Sequence, residues 1–320
     1  MSPHRAHPIK ALLSRPYLQV LGINSGTSLN GLDLALIRVR PGRPVRLLHT
    51  QSLRFPARLR GSLLDLATST QVKKSEVAGL NLAFSRWMAS CVLRFRQKVA
   101  KSDRVDLIGV HGQTIGHFPG QRGHHATWQL VAPSVLAIET GIVTAGDFRT
   151  SDVAAGGMGA PLSGYYHHLL FGPEQVVLNL GGIANISASR RRRGRLEILA
   201  FDIGPANMIL DGLARLLLGV SHDKDGRHAA RGEALEDILT RALRHPYFRR
   251  RPPKTCGREE FGMEAIKDWF GRSMLQRRQA DHCLATALTL TVRAIAHAVQ
   301  TWVEPFTQSR TLILTGGGAS

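Results

Sequence analysis

VTAGDFRTSDVAAGGMGAPL, residues Val143 to Leu162, runs from a short apolar segment into two acids, an arginine and a glycine-rich turn. No amphipathic helix pattern accounts for its polar groups. Glycine permits positive φ and close backbone approach, so Gly156, Gly157 and Gly159 suit a chain that bends tightly around a ligand. Asp147, Arg149 and Asp152 put polar groups beside that bend. A solvated turn has the same composition, so the weight falls on the other segments built this way. Four of them are YLQVLGINSGTSLNGLD (Tyr17 to Asp33), VDLIGVHGQTIGH (Val105 to His117), VVLNLGGIANIS (Val176 to Ser187) and LEILAFDIGPANMILDG (Leu196 to Gly212). A further one, TLILTGGGAS (Thr311 to Ser320), closes the chain. Ligands of open α/β sheets gather outside the carboxyl ends of strands, so repeated strand-to-glycine turns imply a shared cleft and an enzyme's organisation.

With 320 residues, 43% of them hydrophobic, the chain exceeds the usual size of one domain, and two α/β lobes are expected. No run of about 18 apolar residues suggests a membrane span. Residues 1–16, MSPHRAHPIKALLSRP, are basic and lack the apolar core of a secretory signal; they read as a disordered extension or a misassigned start. The 3 cysteines, Cys91, Cys256 and Cys283, are scattered and odd in number, which fits a reducing cytoplasm rather than a disulfide framework.

The 42 Lys and Arg against 23 Asp and Glu leave a net charge of +19, which can attract nucleic acid or anionic substrates. The run Arg190 to Arg193 with Arg195 sits between two strand-like segments and reads as a charged hairpin tip. HPYFRRRPPK (His245 to Lys254) adds a second cluster. Neither interleaves aromatic residues as a base-stacking platform does, and aromatics make up only 6% of the chain. Nucleic-acid binding is therefore disfavoured.

Leu18 to Ile23 and Leu32 to Val39 alternate as a hairpin, with SGTSLNG between them. Backbone amides and the hydroxyls of Ser25, Thr27 and Ser28, approached through Gly26 and Gly31, could cradle phosphate oxygens. Arg58 to Thr68 and Glu76 to Val99 have helical periodicity, with Trp87, Cys91 and Phe95 on one face. Val105 to Val110 reads as a strand delivering His111, Gly112, Gln113 and Thr114 to a turn. Leu196 to Phe201 is apolar enough for a buried strand, which sets Asp202 at its carboxyl end. A carboxylate there can take a proton from a water or hydroxyl, or can cap the helix that follows. HDKDGRHAARG (His222 to Gly232) lacks the spacing of a calcium loop, and no metal ligand is assigned.

Taken in order, SGTSLNGLD, HGQTIGHFP, the Gln129 region, GDFRTSDVAAGGMGAPL, LNLGGIANIS, FDIGPANMILDG, HDKDGRHAARG, HPYFRRRPPKTCGREEF and LTGGGAS resemble the anhydro-N-acetylmuramic acid kinase family over about Tyr17 to Ser320. The resemblance implies an α/β, two-lobed, actin-, Hsp70- and hexokinase-like kinase fold with a central cleft. The lobes would span residues 17–200 and 201–320. It also implies a cytoplasmic, ATP- and Mg2+-dependent phosphotransferase. Such an enzyme hydrolyses the 1,6-anhydro ring of anhydro-N-acetylmuramate and phosphorylates O6, in peptidoglycan recycling. Asp202 would be the catalytic base. Ser25, Gly26, Thr27, Ser28, Leu29, Asn30, Gly31 and Leu32 would hold the phosphates, with Gly316, Gly317 and Gly318 near the adenosine. His111, Gln113, Thr114, Arg149 and Asp152 would face the sugar. Besides the amino sugar and ATP, a homodimer is compatible with the resemblance.

The chain departs from the family pattern at Asn30, Thr150, Ser151, Met158, Ala206, Thr255 and Cys256. It also ends at Ser320, inside the adenosine-side turn, so that the second lobe reads as incomplete. The alternative expectation is accordingly a shortened relative of reduced activity that retains sugar or nucleotide binding, with a basic nucleic-acid-binding protein behind it.

Overall fold

The computed structural model describes residues 8–26, 29, 31–41, 43–69, 71–100, 102–118, 120 and 125–319. The chain divides into two compact units, Met1–Gly159 and Ala160–Ser320.

The first unit opens with a short helix, α1 (Pro8–Leu13), followed by β1 (Leu18–Ser25), β2 (Gly31–Val39) and β3 (Arg46–Arg54), an antiparallel meander. Alternation in β2 sends Leu32, Leu34 and Leu36 into the core. Helices α2 (Ala57–Thr68) and α3 (Lys74–Lys98) then lead to β4 (Leu107–Phe118), which lies parallel to β1. On α3, Phe84, Met88, Cys91, Val92 and Phe95 recur at helical spacing and are buried, each contributing on the order of 1.5–3 kcal/mol. Trp87 packs at the edge of the same cluster. Beyond β4 come β5 (Ala126–Leu130), α4 (Pro133–Thr140), β6 (Val143–Gly146) and α5 (Phe148–Ala154). The sheet order is β3-β2-β1-β4-β5, with β6 also paired to β4.

The second unit begins with α6 (Ser163–Phe171) and the meander β7 (Val176–Leu180), β8 (Ile183–Arg192) and β9 (Arg195–Pro205). Helices α7 (Asn207–Leu213), α8 (Glu236–Leu243), α9 (Arg258–Phe261), α10 (Met263–Met274) and α11 (Ala280–Ala298) follow, and β10 (Leu312–Thr315) returns parallel to β7. The sheet order is β10-β7-β8-β9. Arg277–Val303, which contains α11, is long and apolar enough to cross a membrane. In this fold it is a core helix: Cys283, Leu284, Ala287, Leu290 and Ala294 are buried in the second unit's hydrophobic cluster.

Several expectations change against the structure. Residues 8–13 are helical, and Arg15 pairs with Asp106, so this part of the N-terminal segment is ordered. The division between units falls at 159/160, whereas the expected boundary at 200/201 lies inside β9, a strand that cannot leave its β8 partner. His111 to Thr114 are part of β4 rather than a turn, and residues 148–154 form a helix within the expected loop. The α/β class holds, and Cys91, Cys256 and Cys283 are all buried, none of them in a disulfide. At the β8–β9 tip, Arg193 and Gly194 both have positive φ, 50° and 77°, as a two-residue hairpin turn requires. In the arginine clusters Arg190 bonds Glu197 and Arg250 pairs with Glu260, so part of the basic charge is matched within the unit.

Candidate active site

In the first unit, β1 ends at Ser25 and β2 starts at Gly31, so the loop expected to hold phosphate joins two neighbouring strands. Beside it, β4 carries one residue more than β1: Ile23 faces Val110, but Asn24 faces Gly112. This bulge needs glycine, since Gly112 has φ 78° and a Cβ there would lie 2.8 Å from the Leu130 carbonyl oxygen. Past the bulge Gln113 comes opposite Ser25. Gln113 is fully buried. Its Oε1 accepts from the Ser25 hydroxyl, while its Nε2 donates to the carbonyls of Gly26 (3.3 Å) and Thr114 (3.2 Å).

The Gly26 carbonyl also accepts from the Leu29 N–H at 3.1 Å, and the Leu29 carbonyl accepts from Arg60 Nε at 3.1 Å. The side chains of Leu29 and Leu32 lie in the core, which leaves only their main chain to serve a ligand. Thr27, Ser28 and Asn30 lie outside the described residues.

The residues expected on the sugar side cluster around the same strand. His111 Nδ1–H donates to the Gly112 carbonyl (3.0 Å), and Arg149 Nε donates to His111 Nε2 (2.9 Å), an arrangement that requires a neutral ring. Burial and the Arg149 charge hold the His111 pKa below its usual value. Burial, then Arg149 and His125, pull His117 down to about 4. Asp152 Oδ2 accepts from the Gly159 N–H at 2.7 Å and so braces the glycine turn from within. Gln129 Nε2 donates to Thr127 Oγ1 (2.8 Å) and Thr114 Oγ1 (3.4 Å), while its Oε1 is buried with no hydrogen bond among the described residues. An unmatched buried acceptor is a candidate ligand contact. Sequence reasoning reached only the region around Gln129, because a lone glutamine carries no signal of its own.

In the second unit Asp202 lies within β9, opposite Asn185 and beside a second bulge. It does not cap α7, whose N-cap is Ala206. Asp202 is buried, and its Oδ2 accepts from Thr255 Oγ1 at 2.7 Å and from the Cys256 N–H at 3.1 Å. The Asp202 N–H donates to the Lys254 carbonyl (3.0 Å), and the Tyr247 hydroxyl donates to the Asp202 carbonyl (2.7 Å). Burial raises the Tyr247 pKa, which keeps that hydroxyl a donor. Lys254 is itself buried; its ammonium donates to the Tyr247 carbonyl at 3.2 Å and stands 4.7 Å from the centre of the Tyr247 ring. Burial draws its pKa down to about 8. The departure at Thr255 thus keeps a hydroxyl on the carboxylate, a feature that the sequence did not reveal.

Gly316 follows β10 with φ 88°, where a Cβ would lie 2.5 Å from Asn179 Oδ1 and 2.8 Å from the Leu180 carbonyl oxygen. Asn207 Nδ2 donates to that same carbonyl at 3.2 Å. A Cβ on Gly317 would meet open space, so the turn offers a bare main-chain surface of the kind a nucleotide can approach. Among the described residues no group of three or more His, Cys, Asp or Glu could hold a metal ion.

The family model described as anhydro-N-acetylmuramic acid kinase matches residues 18–320. A protein of that name from Salinibacter ruber (strain DSM 13855 / M31) is 36% identical, over 96% of this chain and 81% of its own. Another from Bacillus thuringiensis subsp. konkukian (strain 97-27) is 32% identical, over 94% and 81%. Among solved structures, xylulose kinase from Rhodospirillum rubrum matches with TM-score 0.40 and 13% identity, over 94% of this chain and 82% of that one, too distant to bear on function. The family match over residues 18–320 defines the class of this α/β protein: a kinase, a phosphotransferase with an alcohol group as acceptor. The chain belongs to the anhydro-N-acetylmuramic acid kinase family.

Proposed function

We propose that this chain cleaves and phosphorylates anhydro-N-acetylmuramate with ATP, yielding N-acetylmuramate 6-phosphate and ADP, as a cytoplasmic step of peptidoglycan recycling. Asp202 takes a proton from water, whose oxygen attacks the anomeric carbon. The bond from that carbon to O6 breaks, and O6 attacks the γ-phosphorus as ADP leaves. Catalysis of the transfer is positioning and charge neutralisation. The main chain of residues 25–32 would hold the phosphates, and Gly316 to Gly318 the adenosine side. Mg2+ would neutralise phosphate charge when bound. On the sugar side we assign Arg149, oriented by His111, together with Thr114.

Within a family of kinases, the observation that carries this reading is the buried Asp202 carboxylate, fixed through one oxygen by two donors. The three buried cysteines, none in a disulfide, support a reducing compartment. An assay of ADP release tests the reading: release that depends on anhydro-N-acetylmuramate supports it, and release indifferent to the sugar contradicts it.

A further inference from the structure

We propose that Thr255 is a positioning residue for Asp202, its hydroxyl and the Cys256 N–H together fixing carboxylate oxygen Oδ2 so that the base is presented in one orientation. The inference rests on the reading of Asp202 as the base. Residues 254–256 grip Asp202 at three points: the Lys254 carbonyl accepts from the Asp202 N–H at 3.0 Å, Thr255 Oγ1 donates to Oδ2 at 2.7 Å, and the Cys256 N–H donates to Oδ2 at 3.1 Å. A fourth bond, from the Tyr247 hydroxyl to the Asp202 carbonyl at 2.7 Å, holds the strand from the same segment of chain.

Thr255 is 2% exposed and Asp202 7%, so water competes little for the bond between them. Hydrogen bonds to a charged acceptor are the stronger kind, and they fix direction as well as distance. Both donors bind the same oxygen, so the carboxylate cannot rotate about its last torsion without losing them together. An acceptor held this way loses little orientational freedom when it removes a proton, which is where positioning lowers a barrier.

The inference makes the hydroxyl decisive and the methyl dispensable. Thr255→Val keeps the shape and removes the donor; Thr255→Ser keeps the donor and removes the methyl. In a coupled ADP-release assay with ATP and anhydro-N-acetylmuramate, Thr255→Val should lower kcat about 10- to 100-fold. The KM for the sugar should be unchanged, and Thr255→Ser should retain near wild-type kcat.

A Thr255→Val enzyme with wild-type kcat, or one that raises only the sugar KM, would overturn the assignment. If Thr255→Val does not fold, Thr255→Ser still decides, because a kcat lowered in that variant shows that the hydroxyl is not what matters. An Asp202→Asn control separates the two levels: an active control removes the base reading and this inference with it. An inactive control beside an unimpaired Thr255→Val removes this inference alone.

Discussion

The Ser25 hydroxyl donates to Gln113 Oε1 across two adjacent parallel strands, and both side chains are buried beside the β1–β2 loop. This makes Gln113 a brace of the loop rather than a group facing outward. Gln113→Ala would leave Ser25 without its acceptor and remove one of two donors to the Gly26 carbonyl, at a cost of about 1–3 kcal/mol. Urea unfolding should show that loss, and the KM for ATP should rise while the KM for the sugar holds. A rise in the sugar KM alone would return Gln113 to the substrate side, as the family resemblance implies.

Gly316 carries the second prediction. Alanine there meets both a φ of 88° and contacts of 2.5 and 2.8 Å with Asn179 and Leu180, a strain of roughly 1–2 kcal/mol before any steric shift. The turn should move, and ADP binding measured by calorimetry should weaken. Unchanged ADP affinity would detach this turn from the nucleotide.

Acid sensitivity follows from His117. Its folded pKa is drawn to about 4 by burial, Arg149 and His125, against an ordinary value of 6.5. Between these values the unfolded chain takes up a proton that the folded chain refuses. The stability tied to neutral His117 is complete above pH 6.5 and is lost as pH falls to about 4. His117→Gln should flatten the fall of the urea midpoint across this window. An equally steep fall in the variant would assign the acid sensitivity to other groups.

The parts of the fold that follow local periodicity were legible in the sequence. Leu32, Leu34 and Leu36 alternate as β2, and Trp87, Cys91 and Phe95 mark one face of α3. What was hidden depends on long-range pairing. HGQT reads as a turn because Gly112 looks like punctuation, yet β5 and β1 keep that segment in a ladder around a bulge. Residues 148–154 bury no side chain, so they show no apolar stripe by which a helix could be read. At the candidate site, Asp202 stands out in the sequence by its place after an apolar strand. Its partners Thr255 and Cys256 do not, because they lie 53 and 54 residues further on. Gln113 was placed near a ligand, but its partner Ser25 is 88 residues away.

The most direct test of the account compares wild-type and Asp202→Asn protein in coupled ADP release with Mg2+, ATP and anhydro-N-acetylmuramate. Asparagine keeps the shape and an acceptor for Thr255 but cannot serve as the base. Wild-type turnover should require the sugar, and the variant should lose it by about 10²- to 10⁴-fold. Sugar-dependent turnover that survives in Asp202→Asn would contradict the assignment of the base, and a folded wild-type protein that releases no ADP would contradict the proposed reaction.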